Sequence, residues 1–217
     1  MKKALYLGVD PSFFSYEKPL LHYPVIRLIP KSSLDLALKD AFLEISCYSL
    51  FLLTSKNAVR ILFSLAEEFS LDLETTLQNK CISIGPSTTR ALKEKGVIPF
   101  LEVFPNTQEG VIGALDGMLL EEEFIFYPKS SLARPLLSLY LQKRKVRVNT
   151  LDLYDTVIHL EKPYPSLSEV DEVIFTSPST VEGFFSLYKE FPKDLRPVFQ
   201  GPITEKAFYA KFGVPQS

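Results

Sequence analysis

Two stretches of this chain say nearly the same thing: "FLLTSKNAVRILFSL" at 51–65 and "VIFTSPSTVEGFFSL" at 173–187. Each runs from a short apolar segment through Thr-Ser into an amphipathic run ending Phe-Ser-Leu. A single offset carries Val59, Leu62, Phe63, Ala66 and Phe69 onto Val181, Phe184, Phe185, Tyr188 and Phe191. Both sets follow helical spacing, one stripe facing a core. A second echo follows, "ISIGPSTTRALKEKG" at 82–96 against "PVFQGPITEKAFYAKFG" at 197–213, with a shorter connection before the second copy. Each copy reads strand, Thr-Ser, helix, strand, Gly-Pro, helix, terminal Gly. Two copies of such a βαβα unit predict two related α/β lobes.

The rest of the chain fits that frame. Strands are expected at 4–9, 23–29, 50–54, 81–84, 98–104, 124–127, 147–154, 172–176 and 197–199. Helices are expected around 34–45, 57–69, 87–95, 108–119, 132–143, 179–190 and 204–212. Such alternation predicts parallel sheets covered on both faces. The passages between lobes are placed at "IPKSS" (29–33) and "IHLEKPYPSLSE" (158–169). One lobe is then discontinuous, 1–33 plus 158–217, and 34–157 is inserted within it. Two linkers between two lobes make a hinge and a cleft.

Composition narrows the function classes. The chain has 217 residues, 46% of them hydrophobic and 23% charged, an ordinary globular balance. Lys plus Arg number 24 against 26 Asp plus Glu, a net charge of −2, which argues against a nucleic-acid partner. Cys47 and Cys81 stand in no CxxC motif and read as reduced residues in or near the core. Two histidines, His22 and His159, are too few for a metal centre. No run has the length of a membrane span, and Met1-Lys2-Lys3 leads into too short an apolar run for a signal peptide. A cytoplasmic location and no membrane partner are expected.

Ligands of open parallel sheets bind beyond the carboxyl ends of the strands. Those positions carry Thr54-Ser55-Lys56-Asn57, Gly85-Pro86-Ser87-Thr88, Pro105-Asn106-Thr107-Gln108, Lys129-Ser130-Ser131, Ser177-Pro178-Ser179-Thr180 and Gly201-Pro202-Ile203-Thr204. Hydroxyls, amides and helix starts suit anions, carboxylates in particular. Capping is the competing role for each single hydroxyl: Asn57 and Ser179 read as N-caps, Ser179 with Glu182 as a capping box. No GxSxG, GxGxxG or Walker A motif is present.

In order along the chain, "LLTSKNAVRILF", "IGPSTTRALKEKG", "VFPNTQEGV", "FIFYPKSSLARPLL", "LDLYDTV", "VIFTSPSTVEGFF" and "GPITEKAF" resemble the uroporphyrinogen-III synthase family over roughly residues 50–212. The resemblance implies two flavodoxin-like parallel-sheet lobes joined by a two-segment linker. It implies a linear tetrapyrrole substrate, hydroxymethylbilane, closed with loss of water to uroporphyrinogen III and inversion of the last ring, with no cofactor or metal. The family's linker tyrosine matches Tyr154, the candidate catalytic group. Ser55 and Ser177 match the serines of the two Thr-Ser motifs, and Thr88 and Thr204 the threonines of the two Gly-Pro motifs. With Lys56, Asn57, Lys129, Ser130 and Ser179 they form the expected substrate-binding set.

The chain also departs from the family. "LGVDPSFFSYEKPLLHYP" is short and holds Asp10 where a cation is expected. With the ending "FGVPQS", the C-terminal part of the discontinuous lobe is expected to be truncated, with four strands and an open edge. A monomer is expected, with self-association at that edge as the alternative. The rival function is a divergent, non-catalytic two-lobed module that binds polycarboxylates or regulates.

Overall fold

The computed structural model describes residues 2–12 and 14–213. The ending at 214–217, on which part of the truncation reading rests, lies outside the described residues, as does Met1. The chain divides into two compact units, Met1–Ile29 with Thr156–Ser217, and Pro30–Asp155. In chain order the strands and helices begin with β1 (Lys3–Tyr6), β2 (Leu20–His22) and β3 (Ile26–Pro30). The second unit follows with α1 (Leu36–Leu43), β4 (Leu50–Leu53), α2 (Lys56–Glu68), α3 (Leu73–Leu77), β5 (Cys81–Ile84), α4 (Gly85–Glu94), β6 (Leu101–Val103), α5 (Gln108–Asp116), β7 (Phe124–Ser130), α6 (Leu136–Lys143) and β8 (Arg147–Ile158). The chain returns to the first unit through β8 and completes it with β9 (Val170–Phe175), α7 (Pro178–Tyr188), β10 (Arg196–Phe199) and α8 (Pro202–Phe212).

The second unit's own strands stand in the order β8-β7-β4-β5-β6, and the β7–β8, β7–β4, β4–β5 and β5–β6 pairs are parallel. β4 and β5 are buried along their whole length, as central strands covered on both faces must be. The first unit is a parallel sheet of order β2-β1-β9-β10. Align the two by their Thr-Ser and Gly-Pro strands, β4 on β9 and β5 on β10. Then β7 falls on β1 and β8 on β2, and the spatial orders agree. The chain enters the two sheets at different strands, so one unit is a circular permutation of the other. Read in its own chain order, the first unit is 2-1-3-4, the flavodoxin sequence of strands without a fifth. Among the described residues nothing takes the place of β6 there.

Local chemistry sets the element ends. Helix α2 starts at Ser55, whose side chain accepts from the Asn57 amide, and it buries Val59, Leu62, Phe63 and Ala66. Helix α7 starts at Ser177, which forms a reciprocal capping box with Thr180. The expected caps at Asn57 and Ser179, and the box with Glu182, are therefore displaced two residues toward the N-terminus. The helix expected from 132 begins at Leu136, because Pro135 precedes it as cap. Two short elements went unread. Pro19 and Pro24 bracket β2 too closely for a period to show, and α3 is a five-residue turn capped by Asp72. Cys81 is buried, but Cys47 is exposed, against the expectation of two core cysteines.

An aromatic cluster holds α7 and α8 to one face of the first sheet. The Phe208 ring centroid lies 5.2 Å from that of Phe175 and 5.0 Å from that of Phe191. Burying each such ring contributes roughly 1.5–3 kcal/mol. The other face is crossed by the 10–19 segment, with Phe14 and Tyr16 packed on Ala4, Tyr6 and Ile174. There the buried Glu172 accepts from the Tyr16 hydroxyl at 2.6 Å and the Arg196 Nε at 2.9 Å, and pairs with Lys18 at 2.9 Å. No helix among the described residues is long and apolar enough to cross a membrane.

Candidate active site

In the second unit the β7/β4 junction is the point where successive strands run off in opposite directions, the usual crevice of this architecture. Strand β4 ends at Thr54-Ser55, and β7 ends at Lys129-Ser130. Tyr154 of β8 stands opposite Ser130 in the register, after an irregularity between Lys129 and Ser130. The side chains of Ser55 and Ser130 lie beside its hydroxyl. The ring is 4% exposed. Burial pushes its pKa up, against the pull of the two serine side chains. Three residues widely separated in the chain thus meet at one phenolic oxygen.

The loop after β7 wraps this tyrosine. Ser131 N donates to the Tyr154 carbonyl at 3.0 Å, and Leu132 N donates to Ser130 Oγ at 3.2 Å. Lys56 and Asn57 follow Ser55 as the first residues of α2, both half-buried. The Lys129 ammonium pairs with Asp152 on the neighbouring strand. Lys31 pairs with Asp155 at 2.6 Å, which lowers the Asp155 pKa. Arg134 and Glu109 form a two-pronged pair at 2.7 and 2.8 Å, holding Glu109 down at about 2. The charges of this rim are matched within the unit, and its hydroxyls carry the remaining donor capacity.

Thr88 lies inside, 1% exposed, in the body of α4. That helix begins directly at Gly85, whose φ of +71° places its backbone where an added Cβ would sit 2.6 Å from Asn106 Cγ. Deep burial keeps Thr88 away from the surface where Ser55 and Ser130 stand.

In the first unit the corresponding junction is β1/β9. Ser177 caps α7, Ser179 lies half-buried in its first turn, and Thr204 is 4% exposed within α8. Gly8 approaches Thr176 so closely that a Cβ would meet Thr176 Oγ1 at 2.8 Å. The Tyr6 hydroxyl donates to the Asp10 carbonyl at 3.0 Å, and burial with the Asp10 charge pushes its pKa to about 12. Asp10 itself accepts from Ser12, closing the 10–12 turn at 2.8 Å.

Sequence reasoning placed Thr54 and Gln108 in the strand-end loops without a role of their own and did not single out Tyr127. Tyr127 is wholly buried below the rim, beside Thr54 and hydrogen-bonded to Gln108. A tyrosine on a strand and a glutamine at a helix start carry no periodic signal that they will meet.

The sequence profile described as "Uroporphyrinogen-III synthase HemD" matches residues 19–217. Porphyrin biosynthesis protein HemD of Ruminiclostridium josui is 29% identical over 199 residues, covering 88% of this chain. The chain spans 37% of that relative's length. A putative uroporphyrinogen-III synthase of Methanothermobacter thermautotrophicus is 30% identical over 173 residues, covering 72% of this chain and 67% of its own. Among solved structures, a mutant uroporphyrinogen III synthase of Thermus thermophilus superposes with TM-score 0.62 at 22% identity, over 99% of this chain and 90% of that one. The Helicobacter pylori uroporphyrinogen-III synthetase gives TM-score 0.62 at 17% identity, over 99% and 91%. The structures agree in fold, the profile spans nearly the whole sequence, and the chain belongs to the uroporphyrinogen-III synthase family.

Proposed function

We propose that this chain is a uroporphyrinogen-III synthase, a lyase that converts hydroxymethylbilane into uroporphyrinogen III and water without a cofactor. The observation that carries the reading is the buried Tyr154 hydroxyl, set beside Ser55 and Ser130 at the carboxyl end of a parallel sheet. In the reaction the terminal C–O bond of the substrate breaks, and the hydroxyl leaves as water with a proton from Tyr154. The azafulvene cation left behind is attacked by the last pyrrole through its substituted carbon. The resulting spiro species reopens and recloses with that ring inverted. Loss of one proton restores aromaticity and balances the proton given at the start. Burial keeps the phenol protonated at neutral pH, and the two serine side chains stabilise its oxygen as the proton departs.

Unguided substrate closes without inversion, so the protein's second task is to hold the chain bent. Favourable positioning of this kind is worth of order 7–11 kcal/mol. Substrate carboxylates are assigned to the hydroxyls and first amides of α2 and α7, through Ser55, Lys56, Asn57, Ser177 and Ser179, with Lys129 and Ser130 beside them. The enzyme acts as a cytoplasmic monomer on this small polyanion.

The test is direct. Hydroxymethylbilane is supplied, the products are oxidised, and the porphyrin isomers are separated. An excess of the type III isomer over the no-protein control is expected. Type I alone rejects the reading, and binding without any change in isomer ratio favours a non-catalytic polycarboxylate-binding module.

A further inference from the structure

A buried polar staple lies beneath the loop that follows β7, and the reaction above makes no direct use of it. Gln108, the first residue of α5, is 9% exposed. Its Nε2 donates to the Arg134 carbonyl at 3.0 Å and to the Tyr127 hydroxyl at 3.3 Å. Its Oε1 accepts from the Leu137 amide at 3.3 Å. Tyr127 is fully buried, and its hydroxyl lies beside the side chain of Thr54, next to Ser55. A side-chain amide in such a place is costly unless every polar atom finds a partner. Both atoms of this one do, and two of its three partners are backbone groups of a single stretch, 134–137.

That stretch needs an external hold. It enters α6 through Pro135, which provides no side-chain cap. Its near end is the part that wraps Tyr154: Ala133 N donates to the Ser130 carbonyl at 3.0 Å, and Leu132 N donates to Ser130 Oγ. The adjacent Glu109 grips Arg134 from outside. The geometry points to Gln108 as a positioning residue that, by pinning Arg134 and Leu137, fixes the loop that holds Ser130 against the Tyr154 hydroxyl. This rests on the synthase reading for its effect on turnover, but not for its effect on the loop.

The experiment compares wild type with Gln108→Met, which keeps length and apolar volume but makes none of the three bonds. Gln108→Asn, too short to span them, serves if the first variant fails to fold. Amide hydrogen exchange of 131–137 is expected to speed up about tenfold while strands β4 and β5 keep their protection. The turnover number for type III product should fall about tenfold with KM within about twofold, and the type I share should rise. Unchanged exchange in 131–137 overturns the inference, as does a uniform rise across the unit, which marks a merely structural role. Unchanged turnover, or a raised KM with turnover intact, overturns it too. A wild type yielding only type I product sinks the synthase reading, and the exchange result still decides whether Gln108 holds the loop.

Discussion

Tyr154 and Ser130 are register partners across β7 and β8, and the serine side chain lies beside the phenolic hydroxyl. The backbone that sets their distance is thus the sheet itself, with Ser131 N bonded to the Tyr154 carbonyl. A group held this way moves little, and it suits a proton donor whose target arrives from outside.

Replacing Tyr154 by Phe should lower the turnover number for type III product about 100-fold, the low end of general acid catalysis, while product affinity changes by less than about threefold. Isomer-resolved initial rates and product titration check this. Burial raises the Tyr154 pKa, so the donor stays protonated across the neutral range. Any loss of rate from its ionisation belongs above the ordinary tyrosine value of about 10. A rate falling through pH 7 to 8 in the wild type, absent in the Phe variant, contradicts that assignment.

Gly85→Ala should destabilise the protein by about 1–2 kcal/mol. The added methyl must adopt φ near +71° and displace Asn106, whose Cγ lies 2.6 Å from the new Cβ. Urea denaturation at neutral pH reads the loss, and an unchanged midpoint counts against the tight turn from β5 into α4.

Glu172 governs acid stability in the first unit. Burial alone raises its pKa, but hydrogen bonds from Tyr16, Arg196 and Lys18 outweigh it and hold the carboxyl at about 2, below its ordinary 4.5. A depressed folded pKa contributes stability that is complete above the unfolded value and is lost as pH falls from 4.5 toward about 2. Glu172→Gln should cost about 1–2 kcal/mol at pH 7, since a neutral amide cannot accept from half-buried Tyr16 and Lys18 and exposed Arg196 as the buried carboxylate does, and should flatten the stability profile below pH 5. Urea midpoints from pH 3 to 7 for both proteins measure it.

The two thiols should separate cleanly. Cys47 is exposed, whereas burial lifts the Cys81 thiol to about 12. A thiol reagent at pH 8 should label Cys47 within minutes in the native protein and Cys81 only after denaturation. Equal labelling of both without denaturant would show that β5 opens far more readily than its burial allows.

The parallel α/β plan was legible because apolar runs such as "FLLT" and "VIFT" end in Thr-Ser caps, a signal that lives within a few residues. The permutation of one unit against the other was not. It depends on β7 pairing with β4 and β1 with β9, contacts that no local period encodes. At the site, Ser55 and Tyr154 could be singled out from motifs, yet nothing in the sequence said they would touch. Thr88 looked equivalent to Ser55, and only packing separates a hydroxyl inside α4 from one at the rim. Gln108 stood in a loop named from the sequence, but its role was hidden because two of its partners are a carbonyl and an amide, and backbone groups leave no trace in composition.

The permuted connectivity has a consequence for the birth of the molecule on the ribosome. Strands β4 to β8 emerge as one uninterrupted run, so their sheet can close as soon as β8 is made. Strand β1, synthesised earlier, must wait for β9 and β10, which emerge only after the larger sheet is complete. Until then Ala4, Leu5, Tyr6 and Leu7, all buried in the finished fold, have no parallel neighbour on one side. Nascent-chain aggregation and chaperone capture should therefore fall on β1 rather than on the larger sheet.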